Sequence, residues 1–168
     1  EVGFKYKMTA FQAAIGLAQL ERIGELVANK RRMFRLYREA LAGVPYLRLN
    51  AEAPDTFNTY WMVTVVWDED VGIDKTEVMA ALDARGIDTR PFFHPLSSLP
   101  AFKDAVDRTR AQAENRVSYS LSPRGINLPC GSGVSDADVA YVAEQLRDVL
   151  ERMPKHRSAT PRDSRRIA

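Results

Sequence analysis

Residues 9–41 carry helical periodicity with hardly a break, and a helical stretch of that reach is longer than a compact small domain needs. Thr9 and Gln12 stand in Thr-x-x-Gln spacing, where each side chain satisfies the other's free backbone N–H, so a helix starts there. Its first turns, FQAAIGLAQLERI, are rich in Ala and Gly and leave room for a neighbouring backbone to come close. Gly24 is a candidate kink. Beyond it the apolar positions Leu26, Val27, Met33, Phe34, Tyr37 and Leu41 recur on one face. Gly43 stands where a left-handed residue closes a helix, and Pro45 blocks continuation. The stretch reads as a connector, and whatever follows Pro45 must bury its own core.

After Pro45 the pattern changes. Residues 46–49 fit a short strand, and YWMVTVVW at 60–67 is aromatic and β-branched, as in a strand covered on both faces. Asp74-x-x-Glu77 opens a helix that Gly86 ends, with Val78, Met79, Ala81 and Leu82 on its apolar side. Residues 87–92 read as a strand, followed by the proline-punctuated loop PFFHPLSSLP. One or two helices fill 101–119, and 125–128 make a short strand. Ser135 caps a last helix with the stripe Val139, Val142, Leu146, Val149 and Met153. The order β-β-α-β-α-β-α predicts an α+β layer, helices on one face of a small sheet. Residues 1–44 are thus assigned to a leading loop and connecting helices, 45–153 to the small domain, and 154–168 to a disordered basic tail.

That tail carries Lys155, Arg157, Arg162, Arg165 and Arg166 against Asp163, a net +4 that leaves −2 for the rest of the chain's +2. Lacking hydrophobic periodicity, it reads as solubilising rather than as a nucleic-acid site. No apolar run is long enough to span a bilayer, the first residues show no signal core, and a chain opening on Glu1 reads as a fragment. A single cysteine, Cys130, allows no internal disulfide and fits a reducing, cytoplasmic setting.

Few constellations carry chemistry. His94, His156 and one cysteine make no metal cluster. Gly131-Ser-Gly133 lacks the third glycine of a dinucleotide loop, because position 136 is Asp, and reads as a turn. Lys30, Arg31, Arg32, Arg35 and Arg38 read as a solvated helix face, and Cys130 as a small packed side chain. Two places remain. Lys5 and Lys7 flank Tyr6 beside a helix start, whose free N–H groups favour anions. Arg90, Phe93 and His94, with Ser97 following, place a guanidinium, a ring and an imidazole on a stiff loop just past a strand.

GFKYKMTAFQAAIGLAQLERI, GIDTRPFFHPL, RGINLP and VSDADVAYVAEQL, in this order over residues 2 to 150, resemble the DegT–DnrJ–StrS family of pyridoxal-phosphate (PLP) sugar aminotransferases. The RPFF and RGINLP forms are most similar to members acting on 4-keto-6-deoxyhexoses, the perosamine synthases among them. The resemblance implies the C-terminal part of a fold type I PLP-dependent transferase: long connecting helices, then a small α+β domain that closes part of the active site. It also implies a homodimer, a nucleotide-linked keto sugar as acceptor, glutamate as the usual amino donor, and neither nucleic acid nor membrane as partner.

In the family a lysine in a Ser-x-x-Lys segment holds the cofactor. The lysines here are 5, 7, 30, 75, 103 and 155, and none follows a serine by three. This stretch alone is therefore expected to lack catalysis and to contribute no catalytic residue. The family's usual residue at position 5 is Asn, reaching the neighbouring subunit's PLP phosphate; Lys5 keeps that contact with an added charge. Tyr6, Lys7, Arg90, Phe93, His94 and Ser97 then fall on the substrate side, although the family often has His where Ser97 stands. Two alternatives stay open. One is a sugar dehydratase of the same family, and the other a dimeric α+β module that binds a small ligand without chemistry.

Overall fold

The structure, a computed structural model, describes residues 6–153. The tail 154–168 and Lys5 lie outside the described residues. The first helix begins as its spacing requires: the Gln12 N–H donates to Thr9 Oγ1 at 3.3 Å, and the Thr9 N–H to Gln12 Oε1 at 3.0 Å. Helix α1 spans Ala10–Leu20 and α2 spans Ile23–Leu41. The break falls at Glu21 and Arg22, and Gly24 lies inside the first turn of α2. Glycine permits a kink without forcing one. Here the Arg22 N–H turns back to the Gln19 carbonyl at 3.2 Å, and its guanidinium meets Glu25 at 2.9 Å, an acid placed where a helix N-terminus favours it.

Gly43 departs from expectation too. Among the described glycines only Gly72 and Gly86 have positive φ. Helix α2 instead unwinds through tight turns, Ala42 N–H to Glu39 O and Val44 N–H to Leu41 O, until Pro45 stops it. Helix α3, Lys75–Asp83, ends as predicted. Gly86 takes φ 76°, with Gly86 N–H to Asp83 O at 2.9 Å and Ile87 N–H to Leu82 O at 3.0 Å, the paired bonds of a Schellman end.

Four strands, β1 (Leu47–Leu49), β2 (Val63–Trp67), β3 (Arg90–Pro91) and β4 (Gly125–Leu128), lie in the order β1-β2-β4-β3 with every neighbour antiparallel. The β4 bounds match the sequence reading. Strand β2 starts at Val63 rather than at 60, and β3 is two residues long because Ile87 is used to close α3.

One face of the sheet carries the core. Val63, Val65 and Trp67 of β2 and Ile126 and Leu128 of β4 meet Met33, Phe34, Tyr37 and Leu41 of α2. Val78 and Leu82 of α3 join them, with the stripe Val139, Val142, Leu146 and Val149 of α6, Asp136–Arg152. Each such side chain, fully buried, contributes about 1.5–3 kcal/mol. Ser135 caps α6 through a reciprocal pair with Asp138. On the other face Thr64 Oγ1 donates to Asn127 Oδ1 at 2.7 Å, both residues buried. Two short helices, α4 (Arg108–Glu114) and α5 (Arg116–Leu121), follow the loop after β3. Helix α1 has no buried residue.

Candidate functional site

Gly125 fixes the start of the loop after β3. A Cβ there would stand 2.9 Å from Phe92 Cβ and 3.2 Å from Val66 Cγ2, so only glycine lets Phe92 lie flat over the strand. The Phe92 N–H donates to the Gly125 carbonyl at 2.9 Å. From the other side Lys75 Nζ donates to the Ser122 carbonyl at 2.5 Å and to that of Phe92 at 3.5 Å. Burial holds the Lys75 pKa below its ordinary value. Further along, Ser98 Oγ donates to Pro95 O at 2.7 Å, and Ser97 Oγ and the Tyr119 hydroxyl lie 3.0 Å apart. The loop is clamped at both ends.

What it presents is exposed. Arg90 pairs with Asp88 at 2.9 Å, both side chains about 70% exposed (71% and 72%), and a solvated pair of that kind exchanges readily for a better anion. Phe93 is 58% exposed and lies nearly parallel to Trp61, ring centroids 6.2 Å apart and planes 17° from coplanar. His94 is exposed, and Ser97 is half-buried against Tyr119. Tyr6 and Lys7 are exposed on the approach to α1. Arg90, Phe93, His94 and Ser97 thus share one rigid segment, whereas Tyr6 and Lys7 belong to another.

Trp61 was missed by the sequence reading, which had put residues 60–67 in one strand. Tyr60 is the described non-glycine residue with positive φ, 50°. That left-handed step turns the Tyr60 ring inward, stacked on Phe34 at 3.7 Å and 5°, and turns Trp61 outward to 67% exposure. The step is braced on all sides. Asn58 Oδ1 accepts from the Tyr60 N–H at 2.8 Å, and the Tyr60 hydroxyl donates to Glu52 at 3.2 Å. Glu52 also takes Arg31 at 2.7 Å and the Asn58 N–H at 2.8 Å. The Arg31 contact first, and the Asn58 N–H after it, depress the Glu52 carboxyl to about 2. An Asn two residues before Tyr60 was the available signal, since Asn side chains accept from the N–H two residues on.

The same network corrects the reading of the basic helix face. Arg31 is held by Glu52, the Asn58 carbonyl and the Phe57 ring, and Arg32 pairs with Asp136. Lys30 donates to the Cys130 carbonyl and lies 3.7 Å from its Sγ. Arg35 and Arg38 stay exposed, and the Arg32 side chain is 38% exposed beside Asp136. The spacing was right for one helix face, but that face meets the 50–60 loop and the end of β4. Cys130 is buried as expected, its thiol 3.6 Å from the Trp61 carbonyl. Gly131 to Gly133 form a turn.

Comparison with known proteins settles the lineage. The profile of the DegT/DnrJ/EryC1/StrS aminotransferase family matches residues 1–147. The chain belongs to that family. It is 34% identical over 147 residues to the GDP-perosamine synthase of Vibrio cholerae, covering 88% of this chain and 39% of that protein. To the GDP-perosamine synthase of Caulobacter vibrioides it is 35% identical over 155 residues, 89% of this chain and again 39% of the relative. The chain therefore spans about two fifths of the length of the curated relatives it matches. Its fold superposes on DesI, solved in the presence of its TDP-sugar product, at a TM-score of 0.70 and 30% identity, covering 84% of this chain and 35% of that one. The putative sugar aminotransferase Spr1654 of Streptococcus pneumoniae gives a TM-score of 0.76 at 23% identity, with 86% and 36% covered. The α+β architecture read from the sequence is the family's. No helix among the described residues is long and apolar enough to cross a membrane, and no cluster of three His, Cys, Asp or Glu among them could hold a metal ion.

Proposed function

We propose that this chain is the C-terminal portion of a PLP-dependent aminotransferase that moves an amino group onto the keto carbon of a nucleotide-linked sugar, a 4-keto-6-deoxyhexose. The observation that carries the reading is the clamped loop holding Arg90, Phe93 and His94 toward solvent, in a chain whose relatives include GDP-perosamine synthases. Pyridoxal 5′-phosphate supplies the electron sink when bound. This chain's share is binding and orientation. Lys7, exposed beside the start of α1, suits an anionic group, and Lys5 is assigned to the cofactor phosphate of the neighbouring subunit in a homodimer. Arg90 is the cation for the substrate, His94 a donor or acceptor for sugar hydroxyls, and Phe93 an apolar wall. Ser97, tied to Tyr119, holds the loop's shape and borders the sugar. The amino donor is glutamate and the setting cytoplasmic.

The test separates the two half-reactions in a protein of the relatives' full length. His94→Ala should lower kcat/KM for the nucleotide-linked keto sugar roughly tenfold or more, while the half-reaction with glutamate stays within about twofold. Equal loss in both would remove His94 from the substrate site. Formation of a deoxygenated sugar with no amine consumed would replace the reading by the dehydratase.

A further inference from the structure

We propose that Trp61 and Phe93 form a stacking platform for the nucleobase of the nucleotide-linked substrate. The assignment rests on the nucleotide-sugar reading above and adds to it a binding residue and the substrate part it takes. Three observations support it. The two rings lie 6.2 Å apart and 17° from parallel, so they present like-oriented faces, the geometry an aromatic base overlaps best. Both are mostly exposed, at 67% and 58%, in a domain that buries its other tryptophan, Trp67, to 1%. Finally, Trp61 is turned outward by the left-handed Tyr60. A non-glycine residue in that region is strained and persists only where its surroundings impose it. Asn58, Glu52 and Phe34 impose it here.

The surroundings suit a nucleotide rather than a protein partner. Phe93 is followed by the exposed His94, and Trp61 is preceded by Asn58 and Thr59. Its backbone carbonyl takes the Cys130 thiol, and Cys130 in turn holds the Lys30 ammonium. Two exposed, near-parallel rings beside polar side chains are what a flat base overlaps.

Guanosine diphosphate, inorganic pyrophosphate and the nucleotide sugar are the probes, applied to the full-length protein. Guanosine diphosphate should quench tryptophan fluorescence, and the quench should be smaller in Trp61→Phe than in the wild type, because Trp61 is the exposed tryptophan of this chain and Trp67 is buried. Trp61→Ala should weaken guanosine diphosphate binding on the order of tenfold and leave pyrophosphate binding unchanged. Trp61→Phe, which keeps an aromatic face, should restore most of the affinity. Several results would overturn the platform. One is no quench by guanosine, thymidine or uridine diphosphate. Another is an unchanged affinity in Trp61→Ala, or a loss seen only with the intact sugar nucleotide. A parallel fall in melting temperature, pyrophosphate binding and the glutamate half-reaction would make Trp61 a packing residue. If the wild type binds the nucleotide on Trp61 yet aminates no keto sugar, the platform stands and the functional reading falls.

Discussion

Tyr60 shows how much one backbone angle decides. Regular extended geometry from residue 60 would put Tyr60 and Trp61 on opposite faces of a strand; φ 50° instead ends the loop and starts β2 three residues later. The anchor is Glu52, whose carboxylate accepts from Arg31, Asn58 and Tyr60. With its pKa depressed to about 2, Glu52 binds fewer protons folded than unfolded. Its contribution is therefore present above the usual carboxylate value and lost as pH falls toward 2. Its side chain is 27% exposed, so solvent screens the pair. Glu52→Gln should lower the melting temperature at neutral pH and flatten its decline between about pH 5 and pH 2. Parallel wild-type and variant curves over that range would show that Glu52 does not carry this acid sensitivity.

At the scale of elements, β4 and the loop after β3 act as one unit. Gly125 pairs with Val66 in the ladder and underlies Phe92, while Lys75 ties Phe92 to Ser122 at the end of α5. Gly125→Ala sets a methyl against the Phe92 Cβ, which is not a flexible tip that can swing away. Destabilisation of about 1–3 kcal/mol follows from overpacking, read as a lower denaturant midpoint. Because Phe92 leads directly into Phe93 and His94, the same change should raise KM for the nucleotide sugar. Gly16→Leu provides the contrast, since nothing lies within 4 Å of a Cβ at Gly16.

Across the whole molecule, the helical layer and sheet close one core, and α1 stands apart with Phe11, Ile15, Leu17 and Leu20 exposed. An exposed apolar patch of that kind marks an interface, and in a protein of the relatives' full length it is expected to be covered. Gly16→Leu is then neutral or slightly stabilising in the chain described, because leucine outranks glycine in a helix. In the full-length protein it should cost about 1–3 kcal/mol through overpacking. Calorimetry on both forms checks the pair of signs; an unchanged melting temperature and unchanged dimerisation in the longer protein would remove α1 from the interface.

Local chemistry wrote much of this fold into the sequence. Thr9–Gln12 and Ser135–Asp138 cap helices wherever they stand, Gly86 reaches positive φ without strain, and the stripe from Val139 to Val149 has one face to bury. Such signals act within a few residues, so spacing alone reveals them. The segments around Arg90 and His94 were legible as residue types on a stiff loop, as were the family motifs. The tertiary structure alone decided what depends on residues far apart in the chain. Arg31 and Lys30 left the solvated face because residues 52–60 and Cys130 come back to meet them. Trp61 faces outward because Tyr60 finds Phe34 and Glu52. Phe92 lies flat because the strand beneath it carries glycine. Each of these is a contact between segments whose spacing along the chain says nothing of their meeting in space.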